Sequence, residues 1–272
     1  MTPQQDTGME LRDLLADPDF PTRPRRLRDP HQYVEAVSRL ARVFAEQPEA
    51  VLQELVEIAV RYCGADSAGI SLEEILPTGE KKFRWVAIAG SFAQYLHGTT
   101  PRFFSPCGTC LDAERPQLYR VTQPYYDFLG VTADEITDGL LIPWINEFHR
   151  GTIWAIAHHS REAFDLEDYR LLSTLADFAS MALRHQQQQQ LLREQEKLAA
   201  ATARSNELAH LINNPLQSLV NTLYLAQHAG PAGEPWVKEA LDQLSVLSRL
   251  VSQLLDISPR VPNKEDAHSM AA

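Results

Sequence analysis

A histidine followed five residues later by a proline is the clearest candidate for chemistry in this 272-residue sequence. His210 and Pro215 lie in the segment His-Leu-Ile-Asn-Asn-Pro, within a stretch rich in helix-forming residues. A proline inside a helix costs about 3 kcal/mol, so its presence calls for an explanation. At 100° per residue, His210 lies about 160° from Leu208 and Ile212 on the apolar stripe, so its imidazole should face solvent. A neutral, accessible imidazole is a nucleophile near neutral pH.

Two cysteines at the spacing Cys107-Gly-Thr-Cys110 form a second candidate site. Thiols at this spacing act in redox exchange or supply two metal ligands. A four-ligand metal site would need two further donors, for which His97 and either His158 or His159 are the candidates. The alternative is that Cys107 packs a loop. Three cysteines in this length exclude a disulfide framework, so we expect free thiols.

Tryptophans on predicted strands are candidates for the wall of a small-molecule pocket. Aromatic side chains are common in such pockets, although the alternative is that they fill the core of a sheet. The predicted ligand-binding residues are Trp85, Cys107, Cys110, Trp144 and Trp154. The ligand and any cofactor stay unidentified, and no metal is assigned.

Two long helical segments position His210. The run after His185 lacks glycine and proline and should remain helical to about Ala229. The sequence Gly-Pro-Ala-Gly-Glu-Pro then makes a tight connection, and Pro235 lies where a second helix begins. Two antiparallel helices cannot bury their apolar stripes alone, so we expect a homodimer that forms a four-helix bundle.

The part of the chain before His185 contains both helical and strand periodicity. The pattern predicts helices at 31–47, 49–63 and 161–185 and strands at 67–74, 83–92, 139–145 and 151–159. Gly64 suits a left-handed helix cap and Asp165 an N-terminal cap. A loop-rich section runs from Tyr95 to about Gly139. This order predicts an α+β fold with a central antiparallel sheet and flanking helices.

Charge and composition exclude several functional classes. Thirty-six acidic and 25 basic residues give a formal net charge of −11, which disfavours binding to nucleic acid or to an anionic membrane. No stretch approaches the roughly 20 apolar residues of a membrane span, and the N-terminus lacks the pattern of a secretory signal. We therefore expect a cytoplasmic protein with no nucleic-acid and no membrane partner.

Residues 31–185 resemble a GAF domain, a small sensory module found beside many signalling domains. The segments that carry the resemblance are LQELVEIAVRYCGADSAGISL, FSPCGTCLD, GLLIPW and GTIWAIAHH followed by FDLEDYRLLSTLADFAS. The resemblance implies a GAF architecture but identifies no ligand, because GAF domains bind varied small molecules or none.

Residues 206–257 resemble the dimerisation and histidine-phosphotransfer (DHp, HisKA-like) hairpin of sensor histidine kinases. In that family the histidine, here His210, accepts phosphate, and the residue four positions later, here Asn214, positions water for phosphatase activity. The sequence departs from the family at Leu211, where a Glu or Asp usually orients the imidazole. Glu207, one helical turn earlier, could replace it, or it could be a solvated surface residue.

These resemblances predict five parts of the chain and a function of the two-component type. The parts are a flexible N-terminal arm at 1–30, a GAF sensory domain at 31–185, a helical linker at 186–205, a DHp-like hairpin at 206–257 and a disordered tail at 258–272. Only fifteen residues follow the hairpin, so we expect no ATP-binding domain. The chain would then be a phosphotransferase at most, with His210 phosphorylated in trans.

The expected partners are a second copy of the chain and either a response-regulator receiver domain or a separate histidine kinase. Two alternatives stay open. In one, the hairpin is a non-catalytic regulator that docks on or heterodimerises with such a partner, and His210 is vestigial. In the other, the protein is a metal or redox sensor that uses Cys107 and Cys110.

Overall fold

The computed structural model describes residues 7–228 and 233–257. The chain divides into two compact units, Met1–Gln190 and Leu191–Ala272. The predicted disordered tail at 258–272 lies outside the described residues.

Seven strands of the first unit form one antiparallel sheet. They are β1 (Met9–Asp13), β2 (Ser67–Ile75), β3 (Lys81–Gly90), β4 (Thr99–Pro101), β5 (Gln117–Val121), β6 (Ile136–Ile145) and β7 (Arg150–Ala157). Their order in the sheet is β1-β5-β6-β7-β2-β3-β4. The predicted central antiparallel sheet is therefore confirmed, and its four long strands are those that the period-two pattern indicates.

Helices cover both faces of this sheet. They are α1 (Pro30–Glu46), α2 (Val51–Cys63), α3 (Pro106–Ala113), α4 (Gln123–Leu129) and the start of α5 (Leu166–His228). α1, α2 and α5 pack on one face, where Leu55, Ile70 and Leu172 are fully buried. α3 and α4 lie over the other face, where Leu111 and Leu141 are fully buried. Because both faces are covered, the central strands β2, β6 and β7 are buried along most of their length.

The prediction of a flexible arm at residues 1–30 is wrong for the residues that the structure describes. Met9–Asp13 forms β1 and pairs with β5 at the edge of the sheet. Leu14 and Phe20 follow and are buried. Arg23 is also buried, and its guanidinium donates to the Asp138 carboxylate at 2.7 Å. The basic, proline-rich composition suggests a solvated segment, but Arg23, Arg26 and Arg28 pair with buried carboxylates elsewhere in the chain.

The predicted loop-rich section from Tyr95 to Gly139 contains four short elements, β4, α3, β5 and α4. Ser105 caps the N-terminus of α3: its hydroxyl accepts a hydrogen bond from the Gly108 N–H at 3.0 Å, and a proline follows in the first turn. α3 and α4 contain 8 and 7 residues. Helices of two turns are too short to show a clear 3.6-residue period, which explains why the pattern does not predict them.

The helix ends that position the sheet follow the predicted capping. Gly64 ends α2 with φ of 57°, the left-handed conformation that glycine adopts without strain. At the start of α5, the Asp165 carboxylate accepts hydrogen bonds from the N–H groups of Glu167 and Asp168 at 2.9 and 3.1 Å. The Asp168 carboxylate accepts from the Asp165 N–H at 3.0 Å in return. This reciprocal arrangement is a capping box.

The second unit contains α5 beyond Gln190 and α6 (Glu234–Ile257), which we call the hairpin. The predicted helices, one to about Ala229 and one from Pro235, are confirmed by α5 and α6. Pro215, Thr222 and Ala240 are buried in this unit. Among the described residues, no helix combines the length and the apolar character needed to cross a membrane.

Candidate functional sites

A cavity of about 430 Å³ lies between the sheet and the layer formed by α3 and α4. Its wall consists mainly of aromatic and aliphatic side chains, among them Trp85, Phe92, Tyr119, Tyr125, Tyr126 and Trp154. Cavities of this size and character are typical of small-molecule sites.

Three of the five predicted ligand-binding residues line this cavity: Trp85, Cys107 and Trp154. The rings of Trp85 and Trp154 meet edge to face, with centroids 6.5 Å apart. The Trp154 indole N–H donates to the Ser71 hydroxyl at 3.1 Å, which fixes the ring. A Cβ atom at Gly69 would collide with that ring, so the cavity wall depends on a glycine in β2.

Trp144 is a correction, because it does not line the cavity. It belongs to the core cluster that faces α1, α2 and α5, together with Leu140 and Ile142. Side chains alternate along a strand, so Leu141 lies on the cavity side while Trp144 lies on the helix side. The segment 140–145 of β6 is apolar on both faces of the sheet, so the sequence does not indicate which face lines the cavity.

The two thiols of α3 are buried and differ in position. The Cys107 Sγ lies 3.7 Å from the Ser71 hydroxyl at the cavity wall. Cys110 lies in the core, with Sγ 3.6 Å from the Leu141 carbonyl. Burial raises the pKa of both thiols. A raised pKa disfavours the thiolate that redox exchange and metal binding require.

The structure does not bring together the donors that a metal site at Cys107 and Cys110 would need. In the part of the chain that the structure describes, no group of three or more His, Cys, Asp or Glu side chains could hold a metal ion. The His158 ring instead contacts the Glu135 carbonyl at 2.8 Å and the Ser91 hydroxyl at 3.2 Å. The ring of His158 therefore forms hydrogen bonds with residues next to the ends of β3 and β6, not a metal site with the cysteines.

The sequence pattern does not predict three of the four tyrosines of the cavity wall, Tyr119 on β5 and Tyr125 and Tyr126 on α4. All three are buried. A signal for α4 exists, since a proline lies in its first turn and Gly130 ends it with φ of 68°. These two signals would have predicted α4, and with it the position of Tyr125 and Tyr126 on one helix that packs on the sheet.

Most polar atoms of the wall are engaged by the protein itself. The Tyr125 hydroxyl donates to the Phe104 carbonyl at 3.2 Å, and the Tyr126 hydroxyl donates to the Asp134 carbonyl at 3.0 Å. The Ser105 hydroxyl is occupied by the α3 cap. The cavity therefore offers few hydrogen-bonding groups to a ligand.

The second candidate site is the surface of α5 around His210. Glu207, His210 and Asn214 are all exposed. At 100° per residue, Glu207 and Asn214 lie about 60° and 40° from His210, so the three side chains share one face of the helix. The structure thus brings the three predicted catalytic residues to one surface, while Pro215 lies on the buried side.

The helical hydrogen bonding of α5 is interrupted between Leu211 and Pro215. α5 continues through Pro215, which has no amide N–H and leaves the Leu211 carbonyl, one turn earlier, without its helical donor. The Leu211 side chain is 45% exposed. No carboxylate stands next to His210 in the sequence, which leaves Glu207 as the nearest acidic residue on the same face.

Comparison with known proteins gives the family of the first unit. The GAF domain family matches residues 47–183. Among solved structures, the chain is similar to the GAF domain of a phosphoenolpyruvate-protein phosphotransferase from Coxiella burnetii, with 15% identity, 60% of this chain and 99% of that chain covered, and a TM-score of 0.47. It is also similar to the corresponding domain from Acinetobacter, with 12% identity, coverage of 57% and 93%, and a TM-score of 0.45.

A third similar structure is the free methionine-R-sulfoxide reductase from Neisseria meningitidis, with 17% identity, coverage of 60% and 95%, and a TM-score of 0.44. No protein of curated function matches the sequence. The family match extends from the end of α1 to the first part of α5 and includes every strand from β2 to β7. The cavity therefore lies within the matched residues, and the chain belongs to the GAF domain family.

Proposed function

We propose that this chain is a cytoplasmic signal-transduction protein of the two-component type. Its GAF domain binds a small molecule in the cavity, and its hairpin forms a dimer that presents His210 to a separate phosphoryl donor. The observation that supports this function is the position of His210, which is exposed on a helix whose proline, five residues later, is buried.

The dimer is supported by a second apolar stripe on the hairpin. Its members recur at spacings of three, four and seven residues and are 37–62% exposed: Leu216, Val220 and Leu223 on α5, and Val237, Leu241, Leu244 and Val251 on α6. We call these residues the dimer stripe. Such spacing is that of helices packed along a heptad seam. A second copy that contributes the same stripe would complete a four-helix bundle.

The proposed chemistry is nucleophilic attack by the neutral imidazole of His210. Its unprotonated ring nitrogen attacks the phosphorus of an aspartyl phosphate on a receiver domain, or of ATP held by a separate kinase domain. The N–P bond forms, the P–O bond to the donor breaks, and the donor leaves with both electrons of that bond. The other ring nitrogen then releases its proton to solvent. Glu207 is a positioning residue for the ring, and Asn214 would orient water for dephosphorylation.

Phosphoryl transfer to the full chain tests this function. Radiolabelled phosphoreceiver domains, and an isolated kinase ATP-binding domain with labelled ATP, serve as donors. We expect acid-labile label on the wild type and none on His210→Ala. His228→Ala is the matched control, because His228 is an exposed histidine on the same helix. Label that persists on His210→Ala would overturn the proposed role of His210.

Leu211 favours a second candidate function, a docking or heterodimerising regulator in which His210 is vestigial. If phosphotransfer operates, Leu211→Glu should raise its rate by about tenfold or more, because it restores a carboxylate beside the imidazole. No label on the wild type or on Leu211→Glu, together with a stable complex with a receiver domain or kinase hairpin, would establish the second function instead.

A further inference from the structure

The wall of the GAF cavity carries no charged side chain. Among the described residues that line it, the polar members are tyrosine, tryptophan, threonine, serine and cysteine, and the others are apolar or glycine. Burying a phosphate or carboxylate against such a wall would leave its charge unpaired, which is strongly unfavourable. The cavity therefore selects against nucleotides and organic acids.

The shape of the wall favours a flat ring. Trp85 and Phe92 each approach Trp154 edge to face, with centroid separations of 6.5 and 6.4 Å. Phe104 and Phe128 form a further edge-to-face pair at 5.1 Å, and Phe128 is itself part of the wall. Aromatic walls of this kind pack planar rings in offset or edge-to-face contact.

Tyr119 contributes a hydroxyl to the wall that makes no hydrogen bond with the described residues. Its side chain lines the cavity and is only 6% exposed. Burial raises the pKa of its hydroxyl, and the nearby Cys107 and Tyr126 raise it further. The hydroxyl therefore stays protonated and available as a donor. Because this hydroxyl belongs to the cavity wall and has no partner among the described residues, a ligand that accepts its hydrogen bond gains affinity.

We infer that the cavity binds an uncharged, planar aromatic molecule that carries a hydrogen-bond acceptor for the Tyr119 hydroxyl. This inference rests on the proposed sensory role of the cavity and specifies its ligand class. It predicts that the uncharged wall excludes charged ligands and that the Tyr119 hydroxyl favours ligands with a hydrogen-bond acceptor.

Calorimetric titration of the full chain with four probes tests the inference. Coumarin is an uncharged bicyclic aromatic with a carbonyl acceptor, naphthalene has a similar ring system without an acceptor, and coumarin-3-carboxylate and cyclic GMP carry negative charge. We expect coumarin to bind at least tenfold more tightly than either charged probe. Tyr119→Phe should weaken coumarin binding about fivefold, the effect of one hydrogen bond, and leave naphthalene binding unchanged.

The controls make each outcome decisive. Unchanged naphthalene binding shows that the Tyr119→Phe cavity is intact, and Tyr169→Phe removes a tyrosine hydroxyl on the other side of the sheet. The ligand class would be overturned if a charged probe bound as tightly as coumarin or more tightly. It would also be overturned if neither coumarin nor naphthalene bound. Equal effects of Tyr119→Phe and Tyr169→Phe would overturn the role of Tyr119. Because binding is measured without phosphoryl transfer, failure here and failure of His210 phosphorylation are separate results.

Discussion

Two buried aspartates of the first unit respond differently to their arginine partners. Burial raises the pKa of Asp138 by more than its bond to Arg23 lowers it. Burial also acts to raise the pKa of Asp165, but hydrogen bonds from Arg28 and from the N–H groups of Arg26 and Asp168 lower it to about 2. The difference follows from the number of donors, because each hydrogen bond to a carboxylate stabilises its charged form.

The low pKa of Asp165 predicts a loss of stability in acid. The unfolded carboxylate has a pKa of about 3.9, above the folded value of about 2. Ionised Asp165 therefore stabilises the fold above pH 4, and this contribution of about 2 kcal/mol disappears as the pH falls from 4 to 2. Urea titrations across this range should show a shallower pH dependence for Asp165→Asn and for Arg28→Gln than for the wild type. Parallel curves for all three would contradict this role of Asp165.

The Arg–Asp pairs also show which contacts can be predicted from the sequence. The cap at Asp165 is visible because its partner Asp168 is three residues away. Arg28 lies 137 residues from Asp165 in the chain, and no local pattern joins residues so far apart. The same limit applies to Tyr119 and Cys107, which come close only when α3 packs on the sheet that contains β5.

Element length determines how well the pattern predicts the fold. The strands of eight to ten residues and the helices α1, α2, α5 and α6 are predicted closely, because several periods of alternation fit within each. β1, β4, α3, β5 and α4 have eight residues or fewer and are not predicted. Since α3, β5 and α4 supply much of the cavity wall, the sequence predicts the sheet of the GAF domain better than its ligand site.

Docking of the N-terminal segment predicts a large effect at Arg23. Arg23→Ala removes the partner of buried Asp138, and breaking a buried ion pair costs about 3–5 kcal/mol. Arg25→Ala is the matched control, because Arg25 is an exposed arginine of the same segment, and it should change the free energy of unfolding by less than about 0.5 kcal/mol. Urea denaturation of the full chain measures both variants.

The cost at Arg23 should also depend on pH. Asp138 already has a raised pKa, and removal of the guanidinium raises it further, so the carboxyl can be buried as its neutral form at low pH. We therefore expect a smaller destabilisation by Arg23→Ala at pH 5 than at pH 8. Equal unfolding midpoints for Arg23→Ala and Arg25→Ala would show that the segment is not held in place by this pair.

At the scale of the whole molecule, the proposed signal needs an equilibrium that both candidate sites influence. A ligand in the cavity can change phosphotransfer at His210 only if it binds two states of the protein with different affinity. α5, which contributes residues to both units, is the covalent element that such a change would use. Reciprocity then requires that phosphorylation of His210 changes ligand affinity by the same factor that the ligand changes the phosphorylation equilibrium.

The proposed dimer can be tested independently of any ligand or phosphoryl donor. Leu244→Glu places a carboxylate on the dimer stripe, and two-fold symmetry repeats it in the second copy, so each dimer would bury two unpaired charges. Val246→Glu is the matched control: Val246 is 43% exposed on the same helix but lies about 160° from Leu244. Sedimentation at micromolar concentration should give dimers for the wild type and Val246→Glu, and a dissociation constant at least 100-fold higher for Leu244→Glu. A monomeric wild type, or equal dissociation of both variants, would leave the dimer stripe for a different partner and favour the heterodimerising regulator over the symmetric bundle.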